Sequence, residues 1–499
     1  MVNTVMTKLK IIFIAVFLVT VLAFPCQALS TGTAYMYDAN GNSYASPEAY
    51  VPSKFISGIS LKTGAFSTPQ DIYVDSNRNI YISDTGNNRI IVVDKNLHVT
   101  RIVNEVLIQG EKSALSNPNG IFFGNDGLLY ICDTGNSRVI ALDSNNNVRR
   151  NITGDDIIAV NENLQFRPEK VVADNEGIVY IVSSDIYQGI LQYDTEDKFV
   201  GFFSPNEVTV SIGVRLKAMW KRIFSEEQYN YTEKILPVAY NNLFIGTQQL
   251  IYTTAIGVEQ GNEIKCMNAM GTNILVTPQI QRGEVSYGDL ETSYENNTLI
   301  KSNFVDVCAD EDGMFAALDE TRQRVFLYDS ECNLICVFGS KGSTLGQFIS
   351  ARAIEKCGKD FLVLDSETGR ITFFTPTEYI EKVIDALAYY KAGKYEESVN
   401  KWENILSYDS NYTIAYRSIG RAYLQRGDTE KAMEMLKKGN DKFYYSLALK
   451  ENRKDFLRNN LLWILPVVII VITVIIIGIK KSGCGSCHIG LIEGGVNYE

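Results

Sequence analysis

Short apolar runs, each bounded by Asn, Asp or Gly, fill the chain from about residue 66 to 376. Ile72-Tyr73-Val74, Ile80-Tyr81-Ile82 and Ile90-Ile91-Val92-Val93 are β-branched or aromatic, which predicts brief antiparallel strands joined by tight turns. The arrangement returns 49 residues later as Ile121, Leu129-Tyr130-Ile131 and Val139-Ile140-Ala141-Leu142. Looser copies follow over Pro168–Phe203, Pro237–Ile274, Phe304–Phe338 and Phe348–Phe374, so six units can be counted. Each reads as a four-stranded blade. After Pro376 the apolar period changes from 2 to 3.6, which predicts helices.

Within the repeats, an Asp and an Arg five residues apart recur as Asp84/Arg89, Asp133/Arg138, Asp319/Arg324 and Asp365/Arg370. A carboxylate there can cap turn N–H groups and meet the guanidinium that opens the next strand, a structural role. The motifs Asp84-Thr85-Gly86-Asn87 and Asp133-Thr134-Gly135-Asn136 carry a resemblance to the NHL repeat family. That resemblance implies a six-bladed β-propeller over residues 33–376. The last unit is short of an outer strand, and Ala34-Tyr35-Met36-Tyr37-Asp38 is expected to supply it and close the ring.

In the helical part, Ala386, Tyr389, Gly393, Tyr395, Ser398 and Trp402 match Gly420, Tyr423, Gly427, Thr429, Ala432 and Leu436 at a 34-residue step. The step and the small residues at helix crossings resemble the tetratricopeptide repeat. Two such repeats and a capping or stalk helix are expected over residues 380–460. The resemblance implies a concave groove lined by Tyr390, Lys391, Arg417, Arg421 and Gln425, where arginine meets a peptide carboxylate.

Between the third and fourth units lies an insertion of about residues 206–234. Ile212, Leu216, Met219, Trp220, Ile223 and Phe224 share a helical face, with Arg215, Lys217, Lys221 and Arg222 largely outside it. Met219, Trp220, Lys221, Ile223 and Phe224 are the candidate contact with a membrane or partner. The plainer reading packs that stripe against the propeller rim.

Two segments concern membranes. Lys8 and Lys10 precede an apolar run and a small-residue exit at Ala28, the layout of a signal peptide over residues 1–28. Residues 461–479 carry no charge over 19 positions, about 28 Å of helix at roughly 1.5 Å per residue. This predicts a single-pass protein of the cell membrane, with propeller and helical repeats extracytoplasmic and residues 480–499 a short cytoplasmic tail. Cys484, Cys487 and His488 fit a haem-attachment spacing, but a tail this short and on that side is a poor host for haem.

Charge and histidine content then narrow the chemistry. A net charge of −11 disfavours nucleic acid as a partner. His98 and His488 are the only histidines, so a histidine-built metal centre of the amidating-lyase kind cannot be assembled. Asp and Asn abound, but they are also turn residues. No nucleophile elbow or phosphate-cradling glycine loop is present. The sequence therefore points to a non-enzymatic, membrane-anchored binding or scaffold protein without a cofactor. Its expected partners are proteins, foremost a membrane complex of transport or envelope type, with a peptide or glycan as a further ligand. The alternatives are a metal-dependent lactonase- or lyase-type propeller and a cell-surface sensor.

Overall fold

Why the apolar runs are nearly continuous is clear from where they lie. The second strands Ile80–Asp84, Leu129–Asp133 and Phe315–Asp319 are buried at every residue, because other strands cover both of their faces. Alternation survives on the outer strands Val99–Val103 and Val148–Ile152, where every second residue is exposed. The computed structural model describes residues 34–160, 165–184, 186–205, 239–256, 258, 261–275, 287–290, 293–295 and 298–481. The segment expected to be a signal peptide, the insertion with Met219, Trp220, Lys221, Ile223 and Phe224, and the Cys484/Cys487/His488 motif lie outside these residues.

Two compact units are present, Met1–Asp385 with Asn404–Ile414, and Ala386–Glu403 with Ala415–Glu499. The first is a six-bladed β-propeller. Blade one pairs Asp71–Val74, Ile80–Asp84, Arg89–Val93 and Val99–Val103 as an antiparallel meander. Blades two, three and five repeat this order from Pro118, Arg167 and Phe304. Blade four is less regular. Its inner edge is broken into Ala239–Tyr240 and Phe244–Ile245, both paired with Ile251–Ile256.

Blade six takes its outer strand from the N-terminal side, as the repeat count requires, but from a different segment than expected. Tyr50–Ser57 pairs with Arg370–Pro376, whereas Tyr35–Tyr37 folds back on Ser43–Ala45. The reason is length of pairing: Tyr50–Ser57 offers eight residues to the edge, and the 35–37 segment only three. Tyr50–Ser57, which precedes blade one in the chain, thus completes the last blade and removes an open edge.

Turns are held by one recurrent device. Asp75, Asp94, Asp143, Asp174, Asp194, Asp310 and Asp329 each accept N–H bonds from the residues two and four further on. These are Asx turns, and they account for much of the Asp content.

Helices α1 (Glu378–Lys391), α2 (Tyr395–Tyr408), α3 (Thr413–Gln425), α4 (Thr429–Lys438) and α5 (Lys442–Lys481) follow the propeller. In the second unit Gly420 lets α3 approach α4 closely, since a Cβ there would lie 2.6 Å from Leu436 Cγ. Ser398 Oγ donates to the Ala386 carbonyl at 3.0 Å. α5 runs unbroken through the expected stalk and apolar segment, with Pro466 inside it. It is long and apolar enough to cross a membrane, and its apolar window is fully exposed.

Candidate functional site

The inner strand of each blade has one free edge, and in four blades one residue of that strand occupies an equivalent register. Asp71 faces Ser83, Lys170 faces Val182, and Asp306 faces Leu318, each partner lying one residue before the end-of-strand Asp or its equivalent. Ala353 occupies this position in blade six, facing Leu364. In blades three, five and six a register shift immediately precedes it. Such a bulge re-aims a side chain away from the regular pleat.

Four ionisable side chains meet there. Lys170 Nζ lies 2.6 Å from Asp71 Oδ1 and 3.9 Å from Asp306 Oδ1. Glu355, two residues beyond Ala353, lines the same cavity with Asp71, Lys170 and Asp306. Leu243, Phe244 and Phe122 complete an apolar wall. The cavity measures about 20 Å³, room for a single water-sized species.

The second oxygen of each aspartate ties neighbouring blades together. Asp71 Oδ2 accepts from the Ile121 N–H of blade two at 2.8 Å, and Asp306 Oδ2 from the Ile354 N–H of blade six at 2.7 Å. These N–H groups belong to free inner edges, so the carboxylates satisfy donors that no strand can reach. Gly120 makes room in blade two, where a Cβ would lie 2.7 Å from Lys170 Cα.

Burial dominates the electrostatics. It pushes the Asp306 carboxyl up to about 6 against the pull of Lys170. Asp71 is raised for the same reason, with Lys170 again opposing. Glu355 is raised well above the carboxylate range by burial, and the charges of Asp306 and Asp71 add to the effect. Burial works against the Lys170 ammonium, but Asp306 and Asp71 more than offset it and hold the lysine protonated. A low-dielectric site with three acids and one base thus raises the proton affinity of its acids, while the lysine opposes the shift.

The pattern of apolar strands hid this cluster. Its signal is the charged residue two places after the proline in two of the repeats: Pro69-Gln70-Asp71 and Pro168-Glu169-Lys170 put opposite charges at one register.

The recurrent Asp/Arg pairs divide into two kinds. Arg89 Nε donates to Asp84 Oδ2, and Arg138 Nε to Asp133 Oδ2, both at 2.7 Å. The carboxylates also accept the N–H groups of Ser67 and Ser116, and the side-chain amides of Asn87 and Asn136, so they fasten the loop before the inner strand to their own turn. In blades five and six the expected pairing gives way. Arg324 turns to Asp289 and stacks over Tyr35, and Arg370 stacks over Phe55. The N-terminal segment supplies both aromatic rings and diverts the two arginines. Asp319 and Asp365 still accept loop N–H groups, from Asn303 and Ser350 respectively.

His98 sits on an exposed turn, 3.6 Å from Asp94, away from the axial cluster's strand positions. Among the described residues, no group of three or more His, Cys, Asp or Glu side chains is placed to hold a metal ion.

The expected groove residues lie on α1 and α3. Lys391 and Gln425 are exposed, and Tyr390 and Arg417 are partly covered. Arg417 Nε donates to the Gly439 carbonyl at 2.7 Å. Arg421 is 6% exposed, pairs with Asp441 through Nε and an NH2 group at 3.1 and 2.8 Å, and stacks over Tyr444. Its guanidinium therefore serves helix packing and does not line an open groove.

The NHL repeat pattern matches residues 66–93, the span of blade one from the entry of its inner strand to the end of its third. The chain is a six-bladed β-propeller carrying an NHL repeat. No curated protein is similar enough to the chain to count as a relative. Among solved structures, this chain is similar to virginiamycin B lyase from Staphylococcus aureus (10% identity, TM-score 0.40, 65% of this chain and 99% of the other). It is likewise similar to a streptogramin B lyase (12%, 0.37, 69% and 87%) and a putative gluconolactonase (11%, 0.37, 66% and 94%). Likeness at this level shows the fold alone and bears on neither a reaction nor a ligand of this chain.

Proposed function

We propose that the protein is a membrane-anchored binding scaffold whose propeller and helical unit engage protein partners outside the cytoplasm. The observation that carries this reading is the state of the axial cluster. Its polar groups are engaged with one another and with inner-edge N–H groups, and the cavity they leave holds no more than a water-sized species. A propeller closed in this way offers its faces and rim, and extended rigid surfaces suit protein partners better than small substrates.

The helical unit is read as a tetratricopeptide-like pair docking a neighbouring membrane protein. Tyr390, Lys391 and Gln425 are its proposed contact residues, with Arg417 and Arg421 fixing the shape beneath them. α5 anchors the whole at the membrane.

The rival reading is a metal-dependent lactonase or lyase, and the convergence of Asp71, Asp306 and Glu355 is the observation on its side. Lys170 counts against it, because an ammonium already supplies the positive charge those acids would offer a metal.

Crosslinking in intact cells, mild-detergent extraction and mass spectrometry test the scaffold. The expected result is a membrane protein recovered at near-stoichiometric yield and lost on Lys391→Glu with Tyr390→Ala. Recovery of the chain alone would sink this reading.

A further inference from the structure

We propose that residues 35–45 form a releasable strap on blade five and that Arg324 is its two-position latch. Arg324 holds Asp289 and Tyr35 while the strap is seated, and returns to Asp319 when the strap lifts. Neither position depends on what the propeller binds.

Blades one and two show the second position. At this turn the Asp and the Arg face each other directly in blades one, two, five and six. In blades one and two the Arg Nε donates to the Asp Oδ2 at 2.7 Å. In blade five the same two atoms, Arg324 Nε and Asp319 Oδ2, are buried and have no hydrogen-bond partner among the described residues. A complementary donor and acceptor are thus held apart, and each bond left unmade costs free energy. Burial raises the Asp319 carboxyl, and hydrogen bonds led by the Asn303 N–H oppose it only in part. Blade six differs: with Arg370 diverted, Asp365 uses both oxygens on the Ile349 and Ser350 N–H groups.

The strap accounts for the separation. Arg324 Nη1 donates to the Tyr35 hydroxyl at 3.0 Å and to Asp289 Oδ2 at 3.1 Å, and the guanidinium stacks over the Tyr35 ring. Tyr37 donates its hydroxyl to Asp289 Oδ1 and accepts the Leu290 N–H at 3.0 Å. Asp289 also pairs with Arg322 at 3.1 Å, so it keeps a cation when Arg324 leaves. Moving Arg324 from one carboxylate to the other therefore strands no buried charge.

The strap's own pairing is weak. Tyr35–Tyr37 and Ser43–Ala45 are three-residue strands that form a two-stranded sheet apart from the blades. Such a hairpin has little stability by itself, so its seat rests on the contacts above and on the Tyr44 hydroxyl, which donates to Asp409 at 3.0 Å. Seated, Tyr35 packs against the cluster that holds Val337, on the outer strand Leu334–Phe338. That strand is buried at four of its five residues, whereas the outer strands of blades one and two expose every second residue. Lifting the strap uncovers part of the blade-five rim.

Hydrogen exchange read by mass spectrometry tests this on the full chain in detergent, beside Asp289→Asn and Asp319→Asn. In the parent, amides of residues 35–45 should exchange through an opening that leaves Ile80–Asp84 protected, the mark of local unfolding. Asp289→Asn should raise that opening about tenfold, the worth of one hydrogen bond to a charged group. Asp319→Asn should lower it several-fold, because Arg324 loses its second partner. Asn there keeps an oxygen for the Asn303 and Thr321 N–H groups. Thermal unfolding gives a second readout. Asp319→Asn should leave Tm nearly unchanged in the parent, but lower it by several degrees in a chain carrying Tyr35→Ala and Tyr37→Ala, where the strap no longer seats. The proposal is overturned if the strap amides exchange only together with the blade strands, a result that needs no substitution. It is overturned equally if Asp319→Asn fails to slow them, or if its effect on Tm is the same in both backgrounds.

Discussion

Lys170 and Asp71 form an ion pair of 2.6 Å between blades three and one, with blade two between them in the sequence. Both side chains are largely buried, at 12% and 5% exposure, so water screens the pair little. Removing one member leaves the other uncompensated. Asp71→Asn keeps an oxygen for the Ile121 N–H but loses the charge, and the lysine's other carboxylate partner among the described residues, Asp306, lies at 3.9 Å. We expect a loss of about 3 kcal/mol by urea denaturation. A loss under about 1 kcal/mol would mean that the pair contributes no more than an exposed one.

Acid should stabilise this propeller over a limited window. Burial raises Asp306 and Asp329 to about 6 each. Their unfolded values lie near 3.9. Between about pH 4 and 6 the native state therefore holds more protons than the unfolded one, and stability falls as pH rises through that window. Each group contributes at most about 3 kcal/mol to the change. Scanning calorimetry should give a higher Tm at pH 5 than at pH 7, and Asp306→Asn should flatten the slope. Below about pH 4 the trend reverses, as Asp94, Asp143 and Asp194, lowered by their Asx-turn hydrogen bonds, become protonated. A Tm that falls steadily from pH 7 to 5 would contradict the burial argument.

The outer rim has its own fastening. Arg101, opposite Val92 in blade one, donates to the side chain of Asn146 and the carbonyl of Asp143 in blade two. Arg150, opposite Ala141 in blade two, donates to Asp197 at 2.6 Å and to the carbonyls of Asp194 and Gly177 in blade three. The same position in blade three, opposite Gln192, is Gly201. Arg150→Ala should cost about 2–3 kcal/mol, the range for hydrogen bonds to a charged group. Arg150→Lys should recover less than half of that, because an ammonium cannot reach three acceptors in a fork. Equal stability of the Lys variant and the parent chain would refute the geometric part of this account.

Repetition made the blades legible, and departures from repetition concealed the rest. Asp84/Arg89 and Asp133/Arg138 could be read because identical turns fold identically, and both pairs form at the same distance. Arg324 and Arg370 could not, because their partners Tyr35 and Phe55 are some 290 to 315 residues away in sequence and follow no repeat. The closing strand was right in origin and wrong in segment, since an edge accepts whichever segment pairs over the greatest length. Asp71, Lys170 and Asp306 were missed as a set because one charge per strand looks unremarkable until the ring brings the three together.

The helical unit offers the sharpest separation of packing from recognition. Arg421 pairs with Asp441, whose other oxygen accepts the Tyr444 N–H at the start of α5. The two side chains are 7% and 5% exposed. A buried pair of this kind predicts strong coupling: Arg421→Ala and Asp441→Ala should each cost about 3–5 kcal/mol. The double variant should cost much less than their sum, because it leaves no orphaned charge. Thermal unfolding followed by circular dichroism at the helical band measures all three. Partner recovery from cells adds the second readout. Lys391→Glu should reduce it at unchanged Tm, whereas Arg421→Ala should lower Tm as well. If Arg421→Ala abolished partner recovery at unchanged Tm, the arginine would belong to the recognition surface after all.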